Sequence, residues 1–427
     1  QRLAYAAGFD LYLAEASGAN SHRLATFKDS ISALFWSPDG RTLRLSTQGR
    51  DRSAFEVWDV NADGRRLQRI LQGPGRFHGG SWLSDGSCLF VCDGYFGPNN
   101  FIYILRGGRR FLERSASTPT RLASNGPVEF TWQVPSPDAK RIFAIGSQHR
   151  PELTRYDAEV GEFVPYLRGI PAYWASFSPD GRALAYLSLP QHALWRARPD
   201  GSEPVQLTFA PLEGDGFAWS PDGKQIALRA RRQGQPWTIY LVPADGGAPR
   251  PLTPGTTDAG IPSWSPDGKR IVFGDWPSVE GVDNDRCAIH FVDPETGKLS
   301  DLPGSKSLCT SRWSPDGRYI AALTIRSRRL RLFDLRTREW RALNSPPVNN
   351  PTWSHDGRYL YFDSTEARRA IYRVRIADGE VERIASLEKT DTPGSSAWGS
   401  GLAPDDSPLV TRDLGFTEIY ALNMQWP

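Results

Sequence analysis

Short apolar runs of four or five residues recur along the chain, each set off by polar turn residues: ALAYL (183–187), QIAL (225–228), RIVF (270–273) and YLYF (359–362). Runs of this length, rich in β-branched and aromatic residues and bounded by Pro, Asp and Gly, predict short strands rather than helices. What precedes them is nearly constant. An aromatic residue and an acidic turn appear as WSPDG at 36, WLSDG at 82, VPSPDA at 134, FSPDG at 177, WSPDG at 219, 264 and 313, WSHDG at 353 and LAPDD at 402. In S-P-D-G, Pro presets φ for the second position of a type I turn, Ser and Asp bond nearby backbone, and Gly accepts the conformation that closes a hairpin.

Each turn therefore joins two strands, and the pattern continues beyond them. A third run follows, as in EVWDVNADG (56–64), ALWRARPDG (193–201), TIYLVPADGG (238–247) and AIYRVRIADG (370–379). A shorter fourth closes the unit, as in PVQLTF (204–209), PRPLT (249–253) and VERIAS (381–386). The turn carboxylates Asp39, Asp85, Asp138, Asp180, Asp222, Asp267, Asp316, Asp356 and Asp405 are spaced 40 to 53 residues apart. Four strands at that period make one blade of an all-β propeller with antiparallel blades. A four-stranded sheet cannot bury both faces alone, so every copy needs the same aromatic and the same turn to stack on its neighbour. Trp36, Trp219, Trp264, Trp313 and Trp353 hold equivalent positions and are assigned to packing between blades. A carbohydrate or cofactor platform built from these indoles is the alternative.

The period divides the chain into a partial N-terminal blade (1–30), eight complete propeller repeats (31–391) and a partial C-terminal blade (392–427). Residues 2–27 read as second to fourth strands, and residues 401–424 as first to third. The two remnants overlap and do not add up to one shared blade, so upstream blades are expected to be missing, from one large ring or from parts of two. Loop insertions at 93–101 and 276–287 decorate one face, where binding sites usually sit.

Composition narrows the function classes. Of 427 residues, 39% are hydrophobic and 23% charged, with 15 Trp, 40 Gly and 34 Pro, which suits many short strands and tight turns. A formal charge of +3 gives no field strong enough to gather nucleic acid or acidic lipid. No apolar run approaches the roughly 18 residues of a membrane span, and no signal peptide is evident. The chain begins with Gln1 and its single methionine is Met424, so a processed or truncated product is expected. Cys88, Cys92, Cys287 and Cys309 lack metal-site spacing and read as small buried residues, with a Cys287–Cys309 bridge as the alternative.

The residues that carry chemistry are scattered. GSSAWGSG (394–401) lacks the spacing of a nucleophile elbow. His22, His78, His149, His192, His290 and His355 form no metal-binding pair, and His355 replaces the turn proline. Asp283 and Asp285, in the second insertion, could gather calcium but lack the rest of a calcium loop, and Asp405 and Asp406 belong to a turn. The stretch RSRRLRLFDLRTREWRAL (326–343) sets Arg326, Arg328, Arg329, Arg331, Arg336, Arg338 and Arg341 around Trp340, a candidate for an anionic partner. Strand alternation would place Arg329 and Arg331 on one face and bury Leu330 and Leu332 on the other, the bland reading being a solvated blade edge. No catalytic residue, cofactor or metal is expected.

The turn WSPDGK/R with IYLVPADGG and PRPLT resembles the TolB-like propeller repeat, over essentially the whole chain. More narrowly, ALWRARPDGSEPVQLTF, RWSPDGRYIAALT, RVRIADGEVERIASL and GLAPDDSPLVTRDLGFTEIYALN resemble the C-terminal sensor regions of acidobacterial membrane regulators, in which a CadC-type winged helix or a kinase is joined through one membrane span to a propeller. The resemblance implies a noncatalytic binding or sensing module that is periplasmic or otherwise extracytoplasmic. It would take a protein or small-molecule ligand on its loop face or in its central channel, with no direct nucleic-acid contact and a membrane link only through an upstream segment. The irregular turns at 82, 134 and 402 depart from the consensus. The alternatives are the gating propeller of a prolyl-oligopeptidase-like hydrolase whose catalytic domain is absent, and a channel-site lyase or glycosidase.

Overall fold

The computed structural model describes residues 2–48, 54–74, 76–93, 101–106, 119–122, 128–167, 169–189, 191–232, 235–255, 258–276, 287–364, 369–388 and 397–424. All regular structure among them is antiparallel strand, grouped in sheets of three or four, and the chain is an all-β propeller protein. It divides into two compact units, one comprising 1–148, 233–235 and 416–427, the other 149–232 and 236–415.

The second unit contains six four-stranded sheets among its described residues. Five follow the repeat in order, beginning with the first strands Ala172–Phe177, Leu212–Trp219, Ser263–Trp264, Leu308–Trp313 and Val348–Trp353. The sixth is assembled from two distant pieces. Ala397–Leu402 and Pro408–Asp413 come from the end of the unit, and Pro151–Asp157 and Glu162–Pro165 from its beginning, joined by pairing of Pro151 with Asp413 and of Arg155 with Leu409. The first strands touch in sequence and the last returns to the first, closing the ring.

Burial explains why the ring holds. The core is six apolar clusters, one between each neighbouring pair of sheets. Leu187, Leu194, Phe217 and Leu228 fill one interface, and Leu153, Ala172, Leu184 and Leu409 fill the one that completes the circle. Each sheet buries both faces against others of its kind, and closure joins the two ends of the unit in one ladder.

Among its described residues the first unit carries two four-stranded sheets, Ser30–Trp36 to Leu67–Pro74 and Arg76–Trp82 to Thr120–Arg121, and two three-stranded ones. One of the latter comprises Arg2–Ala7, Asp10–Glu15 and His22–Thr26. The other joins Val128–Pro135 and Arg141–Gln148 to Phe416–Asn423. Apolar clusters lie between consecutive sheets here too.

This arrangement differs from the expected division into 1–30, 31–391 and 392–427. The repeat that spans 128–165 does not make one sheet: its first two strands belong to the first unit and its last two close the six-sheet ring. The C-terminal remnant is divided in the same way. Periodicity reports each strand–turn–strand, whereas the partner of an edge strand is chosen by long-range ladder pairing that local sequence does not encode.

The turns are built as the motif requires. At Ser220–Gln225 the Ser220 hydroxyl donates to Asp222 Oδ1 (2.6 Å), the Lys224 amide donates to the same oxygen (3.1 Å), and the Gln225 amide donates to Ser220 Oγ (2.9 Å). The Ser–Asp–amide set recurs at Asp39, Asp138, Asp180, Asp267, Asp316 and Asp356. At Asp85 and Asp405, where Leu83 and Ala403 replace the serine, the carboxylates still accept the amides of Ser87 and Ser407. Gly223 takes a φ of 69°, and Ala139 and Asp406 adopt 56° and 65° at equivalent places, which is why those two repeats read as irregular.

Candidate functional site: an aromatic cavity on the ring axis

The first strand of a blade carries a bulge where its ladder skips residues. In the six-sheet unit these lie between Ala172 and Trp174, Gly214 and Phe217, Cys309 and Arg312, Asn349 and Thr352, and Gly399 and Gly401. Several need a left-handed residue: Gly216 (φ 119°), Thr310 (53°), Asn350 (45°) and Gly401 (116°). At Gly216 the approach is also close, since a Cβ would come within 2.8 Å of Ile261. Bulges re-aim the side chains that follow them. Here Trp174, Phe217, Arg312, Thr352 and Gly401, each resuming the ladder, all line a single cavity of about 450 Å³.

The cavity draws on the first strands of all six sheets. Its wall carries Phe177, Trp219, Trp264, Trp313, Trp353 and Leu402, the residues immediately before the turns, and its turn-side rim carries Pro179, Pro221, Pro266, Pro315 and His355. The indoles also tie the ring together. Trp219 Nε1 donates to the Ser176 carbonyl of the preceding blade (3.1 Å), Trp264 to Ala218 (3.2 Å) and Trp353 to Arg312 (3.1 Å). Trp313 donates instead to Gly317 in its own turn (3.3 Å). Four of the five tryptophans assigned from sequence thus meet in one place, where they pack between blades and present part of their surface to the cavity. Trp36 lies in the other unit, with the Arg2 guanidinium 5.6 Å from its ring centre.

One position in this wall breaks the repeat. Two residues before each turn serine, or its replacement Ala403, stand Ser176, Ala218, Ser263, Arg312, Thr352 and Gly401, and every one lines the cavity. Five are small and the sixth is arginine. Among the lining residues Arg312 is the sole charged side chain, with His355 the sole other titratable one. Arg312 Nη1 donates to the carbonyls of Ser311 (3.0 Å) and Ile261 (3.4 Å), and no carboxylate among the described residues pairs with it. Burial pushes its pKa down to about 10, although part of the residue stays exposed. The nearby turn carboxylates are occupied by their own serines and amides. His355, in place of the usual proline, contacts the carboxylate of Asp406 (2.6 Å), which stands in place of the usual glycine.

Sequence inspection by motif missed Arg312, because it lies inside a repeated strand and in no recognised pattern. Aligning the repeats column by column and asking where one copy departs from the rest would have found it.

The other candidates are structural or lie elsewhere. Leu330 and Leu332 are buried as alternation requires. Arg328 and Arg341 donate to the Val348 and Ile376 carbonyls (3.0 and 2.7 Å), and Arg329 to that of Ser345, so much of the basic stretch braces adjoining strands. Arg326 and Arg331 line a separate pocket of about 400 Å³ with Lys306 and Trp340. His290 sits between Asp301 (2.7 Å) and Asp275 (3.2 Å), and its hydrogen bond to Asp275 raises its pKa. All four cysteines are free thiols, and burial, then Asp275, pushes Cys287 up to about 11. No cluster able to hold a metal occurs among the described residues; Asp283 and Asp285 lie outside them. Among the described residues no helix is long and apolar enough to cross a membrane.

Comparisons with known proteins agree with the fold. No protein-family model matches the chain. An uncharacterized protein of Agrobacterium fabrum, Atu1656, is 26% identical over 301 residues, covering 65% of this chain and 94% of that protein. Among solved structures, one assigned as TolB from Agrobacterium tumefaciens is similar at a TM-score of 0.50 and 20% identity, over 62% of this chain and 99% of that one. TolB from Acinetobacter baumannii gives 0.43 and 17%, over 67% and 80%. The structural neighbours include TolB-like β-propellers, and oligogalacturonate lyases are also among them.

Proposed function

We propose that this chain is a noncatalytic propeller that binds a ligand in the axial cavity of its six-sheet ring and serves as the extracytoplasmic sensing part of a bacterial signalling or transcription-regulating membrane protein. One observation supports binding above all: the cavity, of ligand-site size, is walled by aromatic side chains from five of the six sheets and by Leu402 from the sixth, with one cation that no carboxylate among the described residues pairs. A pocket assembled from every blade also suits sensing, because a ligand that spans it couples sheets that otherwise touch only their neighbours. The extracytoplasmic assignment rests on the resemblance of the repeats to sensor regions of membrane regulators.

The test is a thermal-shift screen of the purified chain against small metabolites and short peptides, with tryptophan emission followed in parallel. A ligand that raises the unfolding midpoint and changes the emission of the wall indoles is expected. Midpoint shifts with unchanged emission would place binding elsewhere. Turnover of any bound compound would overturn the noncatalytic assignment.

A further inference from the structure

We infer that the ligand of the axial cavity carries a carboxylate that pairs with Arg312 and a flat body that lies against the wall indoles, an inference that rests on the cavity being the binding site. Three observations converge on it. Position supplies the first: of six equivalent cavity-lining residues, five are Ser, Ala, Thr or Gly, so nothing in the fold calls for a long cationic side chain there.

Orientation supplies the second. The Arg312 carbonyl accepts the Trp353 indole of the following blade, which fixes the backbone, and Arg312 Nη1 donates to the Ile261 carbonyl of the preceding blade, which orients the side chain. Those bonds involve one terminal nitrogen and leave Nε and Nη2, one edge of the planar fork, with no partner among the described residues. That edge matches a carboxylate held by two parallel hydrogen bonds.

Electrostatics supply the third. No acidic side chain lines the cavity, so the Arg312 guanidinium is the only charge an incoming anion meets among the lining residues. The indoles offer broad apolar faces beside it, which favours a planar or ring-bearing acid over a small inorganic anion. Carboxylates of this description come from two sources: free organic acids and the C-terminus of a peptide.

The test is calorimetric titration of the whole chain with four probes: benzoate, benzamide, the tripeptide Gly-Gly-Phe and its C-terminal amide. The acid of at least one pair is expected to bind tenfold or more tightly than its amide. Arg312→Gln should erase that preference, the acid losing far more affinity than the amide, and Arg312→Lys should restore part of it. Which acid is preferred identifies the source. Equal binding of acids and amides, or an acid preference that survives Arg312→Gln, overturns the inference while leaving the cavity as a binding site. Failure of all four probes to bind overturns the cavity reading with it. Should Arg312→Gln not fold, the acid-against-amide comparison on the unaltered chain decides alone.

Discussion

Arg229 and Arg312 stand in the same six-sheet ring, and burial lowers the pKa of both, yet their surroundings are opposite. Arg229 is fully enclosed: it pairs with Asp215, donates to the Ala259 carbonyl at 2.6 Å, and lies between Trp237 and Trp276 with its guanidinium 4.1 and 4.3 Å from their ring centres. Every face of that cation is used by the fold. Arg312 has two backbone carbonyls, no carboxylate among the described residues and a cavity in front of it. A buried charge with a complete set of partners reads as structure, whereas one left incomplete beside an open, apolar-walled space reads as half of an interaction whose other half arrives from outside.

If that contrast is right, substitutions should separate by site. The largest loss is expected for Trp353→Ala, which removes a ring packed between two blades together with its bond to Arg312, at about 3–5 kcal/mol of stability by chemical denaturation. Arg229→Ala should follow at about 3 kcal/mol, because Asp215 loses its partner and two indoles lose the group between them. Ser220→Ala should cost about 1 kcal/mol, read as a fall in unfolding midpoint, since Asp222 and the Gln225 amide each lose a bond.

Acid should weaken the turn at Asp356. Backbone bonding by Arg358, with help from Ser354, holds the Asp356 pKa at about 2, below its unfolded value near 4. A depressed carboxylate contributes its full stability above pH 4 and loses it as pH falls toward 2, so the midpoint should drop over that window, and less so in Asp356→Asn.

Much of this fold is written locally. The turns Asp180, Asp222, Asp267, Asp316 and Asp356 carry the bonds that their Ser-Pro-Asp-Gly chemistry requires, because that information lies within six residues. Ring membership is not local: nothing in the 151–165 strands announces that they pair with 408–413 rather than with the strand just before them. The site was half legible. Trp219, Trp264, Trp313 and Trp353 could be assigned to blade packing from their repetition, but a motif cannot say that a packing residue also faces a cavity. Arg312 was hidden for the converse reason, since a repeat draws attention to what recurs and a ligand contact occurs once.

The most direct trial of the account joins stability and affinity in a single protein, Arg312→Gln. Its unfolding midpoint and its affinities for benzoate and benzamide would be measured against the unaltered chain. The account predicts stability unchanged to within about 0.5 kcal/mol, or raised, with benzoate weakened far more than benzamide so that the preference for the acid is lost. A midpoint lowered as far as that of Arg229→Ala, with benzoate and benzamide weakened together, would make Arg312 another structural arginine and contradict it.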